Sequence, residues 1–190
     1  MNIPAESQPP AVPRVLETDD AIILLLGAAG ATDRDQGRIE GITRLEKLLF
    51  LLEQETDADQ WLTEDAAFSS NNFGPFSAKA YQEIETLTTA DLVEDSAILS
   101  ESAEDTWETE NIIGEVTPDP YATRNLTLTA KGKRYYEALL KELPPEAEEV
   151  ISQLKRRFGS MPLRRLIRYV YERYPEYTDK SIIRDQILGQ

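Results

Sequence analysis

The side chains able to do chemistry in this sequence are carboxylates, guanidiniums, lysine amines and hydroxyls, because its 190 residues include neither cysteine nor histidine. That absence removes thiol and imidazole nucleophile systems, thiol redox pairs and structural zinc sites. The 35 acidic residues make a close carboxylate pair expected by chance. Spacing alone therefore argues for no acid–base enzyme, and no catalytic residue, metal or organic cofactor is expected. Two patterned groups remain. Arg156, Arg157, Arg164, Arg165 and Arg168, interleaved with Tyr169 and Tyr171, carry enough positive charge to contact phosphates. Lys79, Gln82, Glu83, Glu85 and Thr86 lie along one helix and suit a macromolecular partner, but their carboxylates oppose phosphate, so they make a poor major-groove reader.

Charge is distributed unevenly around these groups. The formal net charge is −15, yet residues 151–190 hold nine Lys or Arg against four acids, and no basic residue lies between Lys79 and Arg124. The arginines also have an ordinary reading. Arg168 stands four residues before Glu172, and Lys155, Arg156 and Arg157 end a helix that Glu146, Glu148 and Glu149 begin, which matches the helix dipole.

The elements that position the second group centre on Phe73, Gly74, Pro75, Phe76 and Ser77. Ala66, Ala67 and Phe68 read as a strand entering a turn at Gly74-Pro75, and Ser77 caps a helix from Ala78 to Thr89 that buries Ala80, Ile84 and Leu87. In front of it, Thr43 and Glu46 have capping-box spacing at the start of a helix whose apolar face is Ile42, Leu45, Leu48, Leu49 and Leu52. Phe50 and Leu51 widen that face, so that either several elements surround this helix or part of it meets a partner subunit. A homodimer is expected from this excess and from the tyrosines near the C-terminus.

Behind the central helix, Asp91 to Glu94 and Tyr121 to Thr129 read as an antiparallel pair, with Leu92 and Val93 against Leu126 to Leu128. The acidic stretch Asp95 to Pro120 connects them as a long loop. A helix from Ala130 to Leu143 follows, then one with Pro144-Pro145 at its first turn, and then a long helix burying Leu163, Leu166, Ile167, Val170 and Tyr174. Thr178-Asp179 is placed to cap a last short helix. Near the start, Asp19-Asp20 leads a helix from Ala21 to Ala29 that stops at Gly30. A competing reading makes Ile22 to Leu26 a buried strand entering a dinucleotide-binding turn, although Asp33 occupies the third glycine position and no second βαβ unit follows.

The order predicts a mainly α fold with a small antiparallel β wing, a winged helix-turn-helix with a C-terminal helical extension. The expected divisions are a flexible tail over 1–18, the winged-helix domain over 19–143, and an extension over 144–190 packed on the same core. No stretch approaches the roughly 20 apolar residues of a membrane span. A cytoplasmic protein is expected.

The stretches TRLEKLLFLLEQE, NNFGPFS, LTLTAKGKRYYEAL and MPLRRLIRYVYERYPEYTDKS together resemble the YwgA-like proteins and, more distantly, the Panacea or SocA-like domain. The similarity covers most of Ile42 to Ser181. It implies a winged-helix-like architecture and either a transcription-regulator role or antitoxin or adaptor work through protein contacts, with no catalytic residues carried over. The long acidic loop and the acidic helix after Ser77 depart from that pattern and weigh against DNA reading.

Overall fold

Helix α2 (Ile42–Glu55) occupies the centre because it is apolar on more than one side, and each residue from Ile42 to Leu52 is buried. Phe50 and Leu51 are both 0% exposed. Of the two readings of the widened face, the one in which the chain's own elements surround the helix holds for Phe50 and Leu51. Phe50 takes the edges of Phe68, Tyr174 and Tyr177 with ring centroids 5.1, 5.0 and 4.9 Å away, the geometry that aromatic quadrupoles favour.

The computed structural model describes residues 16–99 and 122–189, and there the chain is mixed α/β, mostly helical with two small antiparallel sheets. Helix α1 (Thr18–Gly27) is followed by strand β1 (Arg38–Glu40) and then α2. A hairpin of β2 (Ser69–Asn71) and β3 (Gly74–Phe76) leads into α3 (Ala78–Thr89), and β4 (Val93–Leu99) and β5 (Ala122–Leu128) follow. The remaining helices are α4 (Ala130–Leu139), α5 (Ala147–Phe158), α6 (Leu163–Arg173) and α7 (Arg184–Leu188).

Ile22 to Leu26 lie inside α1 and are fully buried, so the dinucleotide-strand reading fails. The helix ends at Gly27 rather than at Gly30. The expected antiparallel strand pairing is present as Val93↔Leu128, with Asp95 opposite Leu126. Two features differ from expectation. Strand β4 continues through Leu99, into the stretch expected to be loop, and the short β1 pairs with the other edge of β5 to give the order β1-β5-β4. The rest of the acidic connection and the tail over 1–15 lie outside the described residues. Leu16 is buried and bridges Leu62, so the packed chain begins before residue 19.

Towards the C-terminus, α4 stops at Leu139, four residues before the expected end. Pro144-Pro145 precede α5 instead of forming its first turn: Glu146 is the N-cap, and the Ala147 amide donates to the Pro144 carbonyl at 3.0 Å. Tyr174 is the C-cap of α6 and is half-buried, not part of its inner face. Thr178 does not cap α7; it closes the short 3-10 turn Pro175–Tyr177. Its hydroxyl donates back to the Pro175 carbonyl at 2.7 Å, and α7 begins only at Arg184. Buried side chains form one cluster from Leu16 to Ile187, contributed by every helix. Among the described residues no helix is long and apolar enough to cross a membrane.

Candidate functional site

The start of α3 is fixed by three buried polar side chains. Ser77 is the expected N-cap: its hydroxyl accepts from the Ala80 amide at 3.0 Å and donates to the Ala66 carbonyl. Its own amide donates at 3.0 Å to the Glu46 carboxylate, whose other oxygen accepts from Lys47 Nζ at 2.9 Å. Lys47 Nζ also donates to the Pro75 carbonyl at 2.6 Å. Glu46 thus serves Ser77 and does not close a capping box with Thr43. Helix α2 begins two residues earlier than a Thr43 cap would set it, with Gly41 at φ +89° as N-cap, and this places Thr43 in the interior.

Gly74-Pro75 is not the turn. It forms the second strand of the hairpin, Asn71 pairs with Gly74, and Asn72-Phe73 make the two-residue loop. Ala66, Ala67 and Phe68 precede β2 rather than forming it. Gly74 needs to be glycine for two reasons: its φ is +88°, and a Cβ there would stand 2.6 Å from the Tyr171 ring. Tyr171 lies against the hairpin at Gly74, its hydroxyl shares a 2.9 Å hydrogen bond with Ser181, and burial pushes its phenol up to about 12. Phe73 and Phe76 are half-buried on the hairpin, with Phe76 against Tyr81 at 5.4 Å.

With its inner face on Ala80, Ile84 and Leu87, α3 turns Gln82, Glu85 and Thr86 outward, with Lys79 and Glu83 half-buried beside them. Lys79 is already occupied: Nζ lies 2.6 Å from Glu64 and donates to the Asp65 carbonyl at 3.2 Å. The Thr86 hydroxyl donates to the Gln82 carbonyl at 3.1 Å. The Glu83 carboxyl is raised above the ordinary range, mainly by desolvation and then by Asp19, with Lys79 opposing and Glu64 and Glu17 adding. Charges on α3, at the start of α1 and on the 64–65 loop thus share one acidic surface.

The five arginines do not form one free surface. Arg156 pairs with Glu149 at 3.1 Å, and Arg157 lies 3.7 Å from Glu55 with its guanidinium over the rings of Phe158 and Tyr169. Arg164 donates to the Gln186 carbonyl at 3.1 Å and Arg168 to the Ile187 carbonyl at 2.9 Å, which ties α7 to α6. Arg168 also stands 3.9 Å from Glu172, the i+4 partner expected for it. Only Arg165 of the five is exposed and has no partner among the described residues.

Sequence reasoning gave Glu46 and Lys155 helix-end roles and missed their burial, together with that of Lys47. Glu46, Lys47 and Lys155 are each buried to within 2% of fully. The available signal was their place inside apolar stripes, Leu45-Glu46-Lys47-Leu48 in α2 and Lys155 between Ile151 and Phe158 in α5. Glu53 is another: the Ala66 amide donates to it at 2.6 Å, and desolvation raises its carboxyl to about 7. Among the described residues no group of acids is placed to hold a metal ion. No protein-family model, no curated protein and no solved structure matches this chain.

Proposed function

We propose that this chain is a non-enzymatic regulatory protein of winged-helix type that holds a basic protein segment against the outer face of α3. The order α1, β1, α2, β2, β3, α3, β4, β5 with sheet order β1-β5-β4 supports the winged-helix part. The observation that carries the partner is the neutralisation of Lys79 by Glu64, which leaves Glu83, Glu85 and neighbouring acids as the net charge of that face. A field of one sign speeds the encounter with an oppositely charged surface and disfavours phosphate. Reversal of Glu83 and Glu85 to Lys is expected to abolish the complex with the native partner in a pull-down while circular dichroism stays unchanged. A complex that survives the reversal refutes this reading.

Arg165 favours a second reading, contact with DNA phosphates through α6. Replacing Arg164 and Arg165 by Ala would then weaken binding to all duplex sequences alike and reduce the salt slope by roughly one unit for each phosphate no longer neutralised. If the protein binds no duplex at low salt, this second reading falls and the protein-partner reading stands.

A further inference from the structure

A cleft of about 500 Å³ opens between the 33–35 turn, β1, the start of α2 and the connection from α5 to α6. Its charged lining is Arg34, Arg38, Arg44 and Lys155 with Asp35 and Glu40, a cationic excess in a chain whose net charge is −15. Both acids are already engaged. Asp35 accepts from the Thr32 amide at 2.7 Å and the Thr32 hydroxyl at 3.0 Å, and Glu40 accepts from Arg38 Nη2 at 2.7 Å.

The two deepest cations donate only to neutral carbonyls among the described residues. Arg44, 8% exposed, donates from Nε to the Glu40 carbonyl at 3.0 Å and from Nη1 to the Met161 carbonyl. Lys155, 1% exposed, donates to the carbonyls of Leu26 at 2.7 Å and Ala28 at 3.0 Å. Arg38 Nε is buried and has no hydrogen-bond partner among the described residues. Buried charge without a counter-charge is costly, and an entering anion would offset that cost. The Lys155 amine reflects this deficit: desolvation lowers it to about 7, with Asp35 pulling the other way.

We infer that this cleft binds a small molecule carrying a phosphate group, held by the remaining guanidinium donors of Arg34, Arg38 and Arg44 beside the Lys155 amine. Guanidinium forks match phosphate oxygens in pairs, and the volume lies in the range of small-ligand pockets. This site is separate from the acidic face of α3 and does not rest on the partner proposed for it.

Pyrophosphate is the probe, titrated into the full chain by calorimetry at constant ionic strength with chloride and acetate as controls. Saturable binding of pyrophosphate but not of acetate is expected, together with a rise in Tm. The pair Arg34→Gln and Arg38→Gln changes side chains at the cleft mouth and should weaken binding about tenfold or more. Arg156→Gln, outside the cleft, should leave it unchanged. Absence of saturable binding in the millimolar range overturns the inference. Equal affinity in the Arg34/Arg38 variant, or displacement of pyrophosphate by duplex DNA, would also overturn it.

Discussion

Lys47 in α2 and Arg168 in α6 are both helical cations beside a carboxylate, and they do different work. The Lys47–Glu46 pair is 2.9 Å long with side chains 1% and 2% exposed, and it joins α2 to the hairpin and to the cap of α3. The Arg168–Glu172 pair is 3.9 Å long with side chains 46% and 63% exposed. In water the second pair gains little, because solvent screens it and ordering two long side chains opposes it. The first pair has no solvent to fall back on, so each partner depends on the other. What separates them is access to water, not the chemistry of the charges.

The sharpest way to break this comparison is to remove one buried partner. Lys47→Met is expected to destabilise the protein by about 3–5 kcal/mol in urea unfolding, because Glu46 is left charged in the interior. Adding Glu46→Gln should recover much of that loss, since the amide oxygen can still accept from Ser77. A loss below about 1 kcal/mol for Lys47→Met would place the pair with the surface class.

Glu53 lies between the extremes and sharpens the comparison by pH. Its folded carboxyl titrates at about 7 against an ordinary value of 4.5, with desolvation the main cause and Asp65 adding, while the Ala66 amide and Lys79 oppose. Because the folded state holds this proton more tightly, its contribution is fully present below the unfolded pKa and is lost as pH rises towards 7. Glu53→Gln should therefore flatten that slope. Relative to wild type, the variant should be about 1–2 kcal/mol more stable at high pH than at low pH, less than the full linkage value because the carboxyl keeps part of its hydration. Chemical denaturation at several pH values measures this, and parallel curves for the two proteins would count against it.

Glu172→Gln, which removes the ion pair and leaves the Arg168 bond to the Ile187 carbonyl in place, should have the smallest effect, within about 0.5 kcal/mol in urea unfolding. A loss of several kcal/mol would place this pair with the buried class.

The same division between buried and exposed explains what the sequence made legible. Helix α3 could be read to the residue because its determinants are local: a serine cap and an apolar spacing. The pairing of β4 with β5 was readable from the alternation of Leu126 and Leu128. Strand β1 was not, since three residues with one buried side chain carry no period. The hairpin was displaced because Gly74-Pro75 has turn composition, while the positive φ of Gly74 is used inside the strand, under Tyr171. The cleft around Arg44 and Lys155 joins residues more than a hundred positions apart, so no local pattern announces it. The fate of Phe50 likewise depended on Tyr174 and Tyr177, which only the folded chain brings near.

Tyr171 over Gly74 has a consequence for how the protein is made. Ribosomes add roughly 5–20 residues per second, so Tyr171 follows Gly74 out of the tunnel by about 5–20 s. The hairpin, with Ile182 donating to the Asn72 carbonyl at 2.9 Å, is completed by residues translated long after it. During that interval the aromatic side of α2 lacks Tyr174 and Tyr177 as its cover. Nascent chains stalled before α6 should therefore keep this surface open to a chaperone, and those released beyond Ser181 should close it.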